Sequence, residues 1–201
     1  MEDIDFPTPI CHIEEEHRKH IIPGTWRTQC PGKTKTTKDS RHLTASVVIL
    51  NENWDKVLLV HHALTDKWQF PGGHVEENEE PGACAMREAM EETGVTVTQA
   101  GVRSKTHGAV QSYYPPFAVA EFEAPADPEW NEPAHHHIDF LYIAVADENV
   151  PLVPQEGEVK AARWFPIPDL SYLKVTDLPD NIRIDVGPMA RRARRAFLVE
   201  M

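Results

Sequence analysis

PGGHVEENEEPGACAMREAMEETGV, residues 71–95, opens on two glycines, runs through an acidic loop and continues as a helical pattern with Glu88, Glu91 and Glu92 at i, i+3 and i+4. At about 3.6 residues per turn, that spacing sets the three carboxylates on one helix face within a single turn. Like charges so crowded raise one another's pKa and burden the folded state. A divalent cation relieves the repulsion. Hard ions such as Mg²⁺ take carboxylate and carbonyl oxygens and share a substrate's phosphates. Gly72 and Gly73 let the backbone come close to such an ion. Pro81 suits a first helical turn and Gly94 suits the residue that closes a helix. Ala83, Met86, Ala89, Met90 and Thr93 are expected to face a sheet, with the glutamates turned outward.

Working outward, LTASVVIL (43–50) and KVLLVHH (56–62) are β-branched runs separated by an Asn-Glu-Asn turn, and they predict a hairpin of two buried strands. KWQF (67–70) is a short strand that delivers the chain to the glycines. Beyond the helix, strands are expected over 95–101, 117–124, 137–146 and 160–167, with short helices beginning at 168 and spanning 187–198. The proline-rich acidic stretch 123–137 reads as a loop at the end of the sheet. His135, His136 and His137, with Asp139 beyond them, are read there as exposed histidines, because no fixed ligand spacing points to zinc. Residues 1–40 show little periodicity beyond a short helix over 13–20. His12, His17 and His20 are read as surface histidines.

Lys plus Arg number 20 against 32 Asp plus Glu, a net charge of −12 over 201 residues, which argues against a nucleic-acid polymer or an anionic membrane as the main partner. A small nucleotide gripped through a metal remains compatible. Cys11, Cys30 and Cys84 are too few and too scattered for a disulfide framework, and Cys84 is read as a small apolar residue on the helix. The polar N-terminus lacks a signal-peptide pattern, and no run reaches the roughly 18 apolar residues of a membrane span. These features predict a soluble, cytoplasmic protein. Arg191, Arg192, Arg194 and Arg195 are read as the solvated face of a C-terminal helix.

Gly73, Glu79, Arg87, Glu88, Glu91, Glu92 and Gly94, with Ala89 and Val95 at the aliphatic positions, resemble the Nudix box of the Nudix hydrolases. Ala89 is smaller than the aliphatic residue usual there. The resemblance implies an α/β/α sandwich, a mixed β-sheet flanked by helices, over residues 41–173, with an N-terminal extension (1–40) and a C-terminal one (174–201). It implies Glu88, Glu91, Glu92 and the carbonyl of Gly72 as ligands of Mg²⁺, or of Mn²⁺ in its place. Glu91 and Glu92 thereby share in catalysis with a general base outside the box. Glu158, six residues before Trp164, is the first candidate for that base and Glu156 the second. Arg87, four residues before Glu91, is expected with Glu79 to orient ligand carboxylates.

His61-His62, Trp68 and His74 resemble the histidine pair, tryptophan and PGGHVE of a subset of Nudix proteins. One histidine of the pair must face each side of its strand. His62 and His74 are thus candidates for substrate contact, while Trp68 either packs in the core or stacks on a substrate base. The implied reaction is Mg²⁺-dependent cleavage of a phosphoanhydride in a nucleoside diphosphate linked to another group, with a nucleoside tri- or diphosphate or a nucleotide sugar as substrate. A nucleotide-sensing module without turnover and an isoprenoid-diphosphate isomerase are the alternatives. A homodimer is expected from the family habit.

Overall fold

The computed structural model describes residues 40–101, 111–128, 131–167 and 179–200. The helices expected over 13–20 and from 168 lie outside the described residues, as do His12, His17, His20, Cys11 and Cys30. No helix among the described residues is long and apolar enough to cross a membrane.

Strands β1 (Arg41–Asn51) and β2 (Lys56–His62) form the expected hairpin, Ile49 opposite Leu58 and Leu50 opposite Val57. Asn51 makes the turn: its Oδ1 accepts from the N–H groups of Asp55 and Lys56 at 3.1 and 2.9 Å, while its Nδ2 donates to Asp55 Oδ1 at 2.8 Å. A side chain that replaces backbone partners in this way fixes a turn without leaving its own polar atoms unpaired. Among the described residues the sheet has eight strands. Its spine is β1 paired in parallel with β7 (His135–Ala146) along its whole length.

The other edge of β1 is divided. Ile49 and Leu50 pair with β2, and Thr44 to Ser46 pair antiparallel with β4 (Gly72–His74). Beyond the hairpin, β2 pairs with β3 (Lys67–Gln69) on one edge and β8 (Val159–Pro166) on the other. The outer edge of β7 carries β5 (Thr98–Ala100) and β6 (Ala118–Ala124). Among the boundaries that differ from expectation, β5 covers only Thr98–Ala100 of the strand expected over 95–101, and two others bear on the site. The glycines form a strand, because β1 supplies the pairing that Gly-Gly-His lacks the propensity to seek. β7 begins at His135, so the three histidines belong to the sheet and not to a loop.

Side chains alternate across a strand, and here both faces are covered. Val47 and Ile49 pack with Cys84, Ala85 and Ala89 of helix α1 (Pro81–Thr93), whereas Val48 and Leu50 pack with Val186, Ala190 and Ala193 of helix α2 (Val186–Glu200). The result is an α/β/α sandwich with a mixed sheet, as expected. The helix that closes the second face lies in the segment read as a C-terminal extension; its buried alanines join Phe165 and Ile167 in that half of the core. Arg192 and Arg195 are exposed on it, and the Arg192 guanidinium lies 4.8 Å over the Phe117 ring.

Helix α1 has the expected ends. Glu80 accepts from the Ala83 N–H at 2.9 Å as N-cap, and Gly94 closes the helix in the left-handed conformation, donating to the Met90 carbonyl at 2.8 Å. Its facing corrects the sequence reading. Ala83 is exposed and Met90 is 46% exposed, whereas Cys84, Ala85, Ala89, Glu92 and Thr93 are buried. The helix is turned so that Glu88 and Glu92 look at the glycine strand, while Glu91 stays exposed as expected.

Candidate functional site

On the α2 side of the sheet, β1 presents Leu50 and Val48 and then Ser46, Thr44 and His42, while β7 presents Ile143 and Leu141 and then Asp139, His137 and His135. Halfway along both strands the face changes from apolar to polar. There a cleft of about 360 Å³ opens, lined by Ser46, Thr44, the glycine strand, the glutamates of α1 and Glu158. Its volume falls within the range of small-molecule sites. Asp139 is buried below it, accepting from Thr44 Oγ1 at 3.0 Å and Ser46 Oγ at 2.9 Å, and burial holds its carboxyl above the usual range.

The box residues form one connected unit. Glu92 is 3% exposed, and its Oε2 accepts from the Gly72 N–H at 2.9 Å. Burial raises its pKa well above the ordinary value, with the Glu88 charge adding to the effect. Glu88 is pushed up to about 7 by burial, and Glu91 is raised for the same reason. Arg87 ties them together: Nη1 donates to Glu88 Oε1 at 2.8 Å and to Glu91 Oε2 at 2.9 Å, while Nε and Nη2 grip Glu79 at 2.8 and 2.9 Å. Although burial pushes Glu79 up, the Arg87 fork and the Glu76 N–H prevail and hold its carboxyl below the usual range. Arg87 and Glu79 thus lie against the glutamates they were expected to accompany, Arg87 bridging Glu79 to Glu88 and Glu91.

One guanidinium does not neutralise four carboxylates; the three with raised pKa values line the cleft, with Glu88 and Glu92 where the glycines bring the backbone in. A Cβ on Gly73 would strike the Glu88 carboxylate, and one on Gly72 would come within 2.5 Å of Ser46 Oγ and 2.6 Å of the Ala45 carbonyl. This hard-oxygen donor set fits Mg²⁺ or Mn²⁺. The Arg87→Lys variant is expected to lower Mg²⁺ affinity about 10- to 100-fold, because an ammonium cannot span Glu79, Glu88 and Glu91 at once. Isothermal titration of Mg²⁺ checks it.

The remaining candidates divide. His62 and His74 line the cleft, as does Glu158, whereas Glu156 is not among the lining residues. His62 Nδ1 accepts from the Leu64 N–H at 3.2 Å, which places the ring proton on Nε2. Trp68 is drawn away: it is buried against Phe165 with ring centroids 5.0 Å apart, stacks on His61 at 5.1 Å, and is absent from the cleft wall. The structure therefore gives it the core position, not the base-stacking one.

Sequence reading missed Arg183, which lines the cleft and is oriented by Asp185 at 2.6 and 2.8 Å with its guanidinium 5.1 Å over Phe122. It lies in an irregular segment with no motif around it. His42 and His135 were also missed as inward-facing groups. Strict alternation from Ile143 back along β7 would have found His135.

A family model described as the NUDIX domain matches residues 40–185. The protein named probable DHNTP pyrophosphohydrolase of Lactococcus lactis subsp. cremoris is 30% identical over 141 residues, 70% of this chain and 69% of that one. The m7GpppN-mRNA hydrolase of Homo sapiens is 30% identical over 156 residues, 72% of this chain but 44% of its own length. The chain thus spans less than half of the mRNA-cap hydrolases it matches. A NUDIX-family hydrolase from Clostridium perfringens superposes with a TM-score of 0.59 at 29% identity, covering 79% of this chain and 99% of that one. With the carboxylate helix, the glycine strand and the sheet between two helices all in place, the match over residues 40–185 shows that this chain belongs to the Nudix family.

Proposed function

We propose that the cleft hydrolyses a phosphoanhydride bond in a small nucleoside diphosphate derivative, with Mg²⁺, or Mn²⁺ in its place, held by Glu88, Glu91, Glu92 and the Gly72 carbonyl. The observation that carries the reading is that three carboxylates of raised pKa line one cleft, Glu92 bonded to the Gly72 N–H and Glu88 against Gly73. When bound, such an ion would neutralise the diphosphate's charge and lower the pKa of the attacking water, so that its deprotonated form could attack phosphorus. Glu158 receives that water's proton. It sits in the turn before β8, lines the cleft and is near enough to all three glutamates for its charge to raise their pKa values. Arg183 meets the anionic end of the substrate, with His62 and His74 along the same wall.

The relatives' names include an mRNA-cap hydrolase, a DHNTP pyrophosphohydrolase and diphosphoinositol polyphosphate phosphohydrolases. A phosphoanhydride is common to those substrates, and the cleft's volume and the chain's net charge favour a small nucleotide over a polymer. A cytoplasmic homodimer, with an N-terminal extension ahead of a Nudix unit that includes α2, completes the proposal.

Isomerase chemistry of the isoprenoid branch needs a cysteine at the site. Cys84 instead is fully buried and absent from the cleft lining, donates to the His74 carbonyl at 3.3 Å and has its thiol pKa raised by burial.

Product release from nucleoside triphosphates, diphosphates, nucleotide sugars and dinucleotides, with Mg²⁺ and with chelator, tests the proposal. One class is expected to turn over only with metal. Glu158→Gln is expected to lower kcat about 10²-fold while leaving Mg²⁺ affinity within about twofold, since it is a base and not a ligand. Nucleotide binding without turnover of any class would favour the sensing module.

A further inference from the structure

We infer that His42, His74, His135 and His137 form a second metal site, one for a divalent transition ion of the Zn²⁺ class. The four residues come from three strands. His135 and His137 stand two apart on β7 and share a face, His42 is the register partner of His137 on β1, and His74 on β4 lies opposite Thr44, one diagonal step from His42. One ring nitrogen from each lies within 4.8 Å of all the others. His42 and His135 are 8% and 3% exposed.

Four donors about 2.0 Å from a tetrahedral ion lie about 3.3 Å from one another. His42 Nδ1 and His74 Nε2 are already 3.3 Å apart, His135 Nε2 and His137 Nε2 are 2.9 Å apart, and the remaining donor pairs lie within 4.8 Å, close to that spacing. His135 is also set up as a ligand from behind. Its Nδ1 is 2.9 Å from the Pro133 carbonyl, which can only accept, so Nδ1 carries the proton and the Nε2 lone pair points into the cluster. The Glu132 carboxylate lies 3.6 Å from His42 Nδ1, a fixed anion beside the proposed cation.

The chemistry separates this site from the glutamate site. Imidazole nitrogen suits Zn²⁺, Cu²⁺ and Ni²⁺ and does not suit Mg²⁺, which takes oxygen. Four protein ligands close the coordination sphere, the arrangement of a structural ion. An ion there ties β4 to β1 and β7 two residues from Gly72, and so holds the glycine strand in place beneath the glutamates.

Co²⁺ titration of the chelator-treated full chain tests the site, because a tetrahedral Co²⁺ ion absorbs strongly in the visible. One equivalent is expected to bind with that spectrum, to be displaced by Zn²⁺ but not by Mg²⁺, and to bind unchanged in Glu92→Gln. His135→Ala and His137→Asn are each expected to weaken it at least tenfold. His137 is only half-buried, so its variant carries the test if His135→Ala does not fold. No tetrahedral spectrum with the unmodified chain, or an unchanged spectrum and affinity in His137→Asn, would overturn the inference.

Discussion

The Glu92→Gln variant is expected to lose turnover about 10³-fold while its fold survives unharmed. Gln keeps the volume of Glu92 and an oxygen for the Gly72 N–H, so the 2.9 Å bond between helix and glycine strand persists. What disappears is the charge. In the metal-free chain that charge is a burden, because burial and the Glu88 carboxylate both resist ionisation. The pH dependence follows. A carboxyl whose pKa is higher folded than unfolded contributes its full stability below the unfolded value of about 4.3 and loses it as pH rises through the folded value. For Glu88 that folded value is about 7. The metal-free chain should therefore lose stability as pH rises from about 4.3 through neutrality. Glu92→Gln should show a shallower loss, and Mg²⁺ should restore the difference in the unmodified chain alone. Thermal melting across pH, with and without Mg²⁺, measures both. A fall in Tm with the loss of activity would make Glu92 a structural residue instead.

The second large effect is on stability. Gly72→Ala places a Cβ within 2.5 Å of Ser46 Oγ, 2.6 Å of the Ala45 carbonyl and 2.7 Å of Ser46 Cα, and two of those are backbone atoms of the sheet's central strand that cannot swing aside. β4 has to part from β1, taking the Gly72 N–H away from Glu92. A loss of about 3 kcal/mol is expected, read as a Tm lower by roughly 6–12 °C for a domain of this size. Gly73→Ala offers the contrast, since the three atoms nearest its Cβ all belong to the Glu88 carboxylate, the far end of a flexible side chain. That variant should melt close to the unmodified chain yet bind Mg²⁺ poorly. Equal melting of the two alanine variants would contradict the backbone clash at Gly72.

The parts of the fold that were legible in the sequence are those where local chemistry and tertiary packing agree. β1 and β2 are β-branched runs with a side-chain-closed turn at Asn51, and α1 has Pro81 and Gly94 at its ends, so each would be recognised without its neighbours. The strand at Gly72–His74 was not legible, because two glycines and a histidine pair only where β1 offers an edge. His135 and His137 were misread for a related reason. An inward-facing residue on a strand is expected to be apolar, and lining a polar cleft breaks that expectation. The facing of α1 differed because Ala83 and Ala85 are equivalent in composition. Only the sheet decides that Ala85 turns inward. Among the candidate site residues, Glu88, Glu91 and Glu92 were legible from their spacing and Glu79 and Arg87 from the resemblance to the Nudix box, whereas Arg183 reaches the cleft from more than a hundred positions away in sequence from His74 and has no local pattern.

The most direct test of the central claim, that the glutamates of α1 and the glycine strand hold a divalent cation, is isothermal titration of Mg²⁺ into the chelator-treated chain, its Glu92→Gln variant and its His137→Asn variant. Saturable binding in the unmodified chain, lost in Glu92→Gln and intact in His137→Asn, is the predicted result. Binding that Glu92→Gln leaves unchanged, or no binding in the unmodified chain, would contradict it.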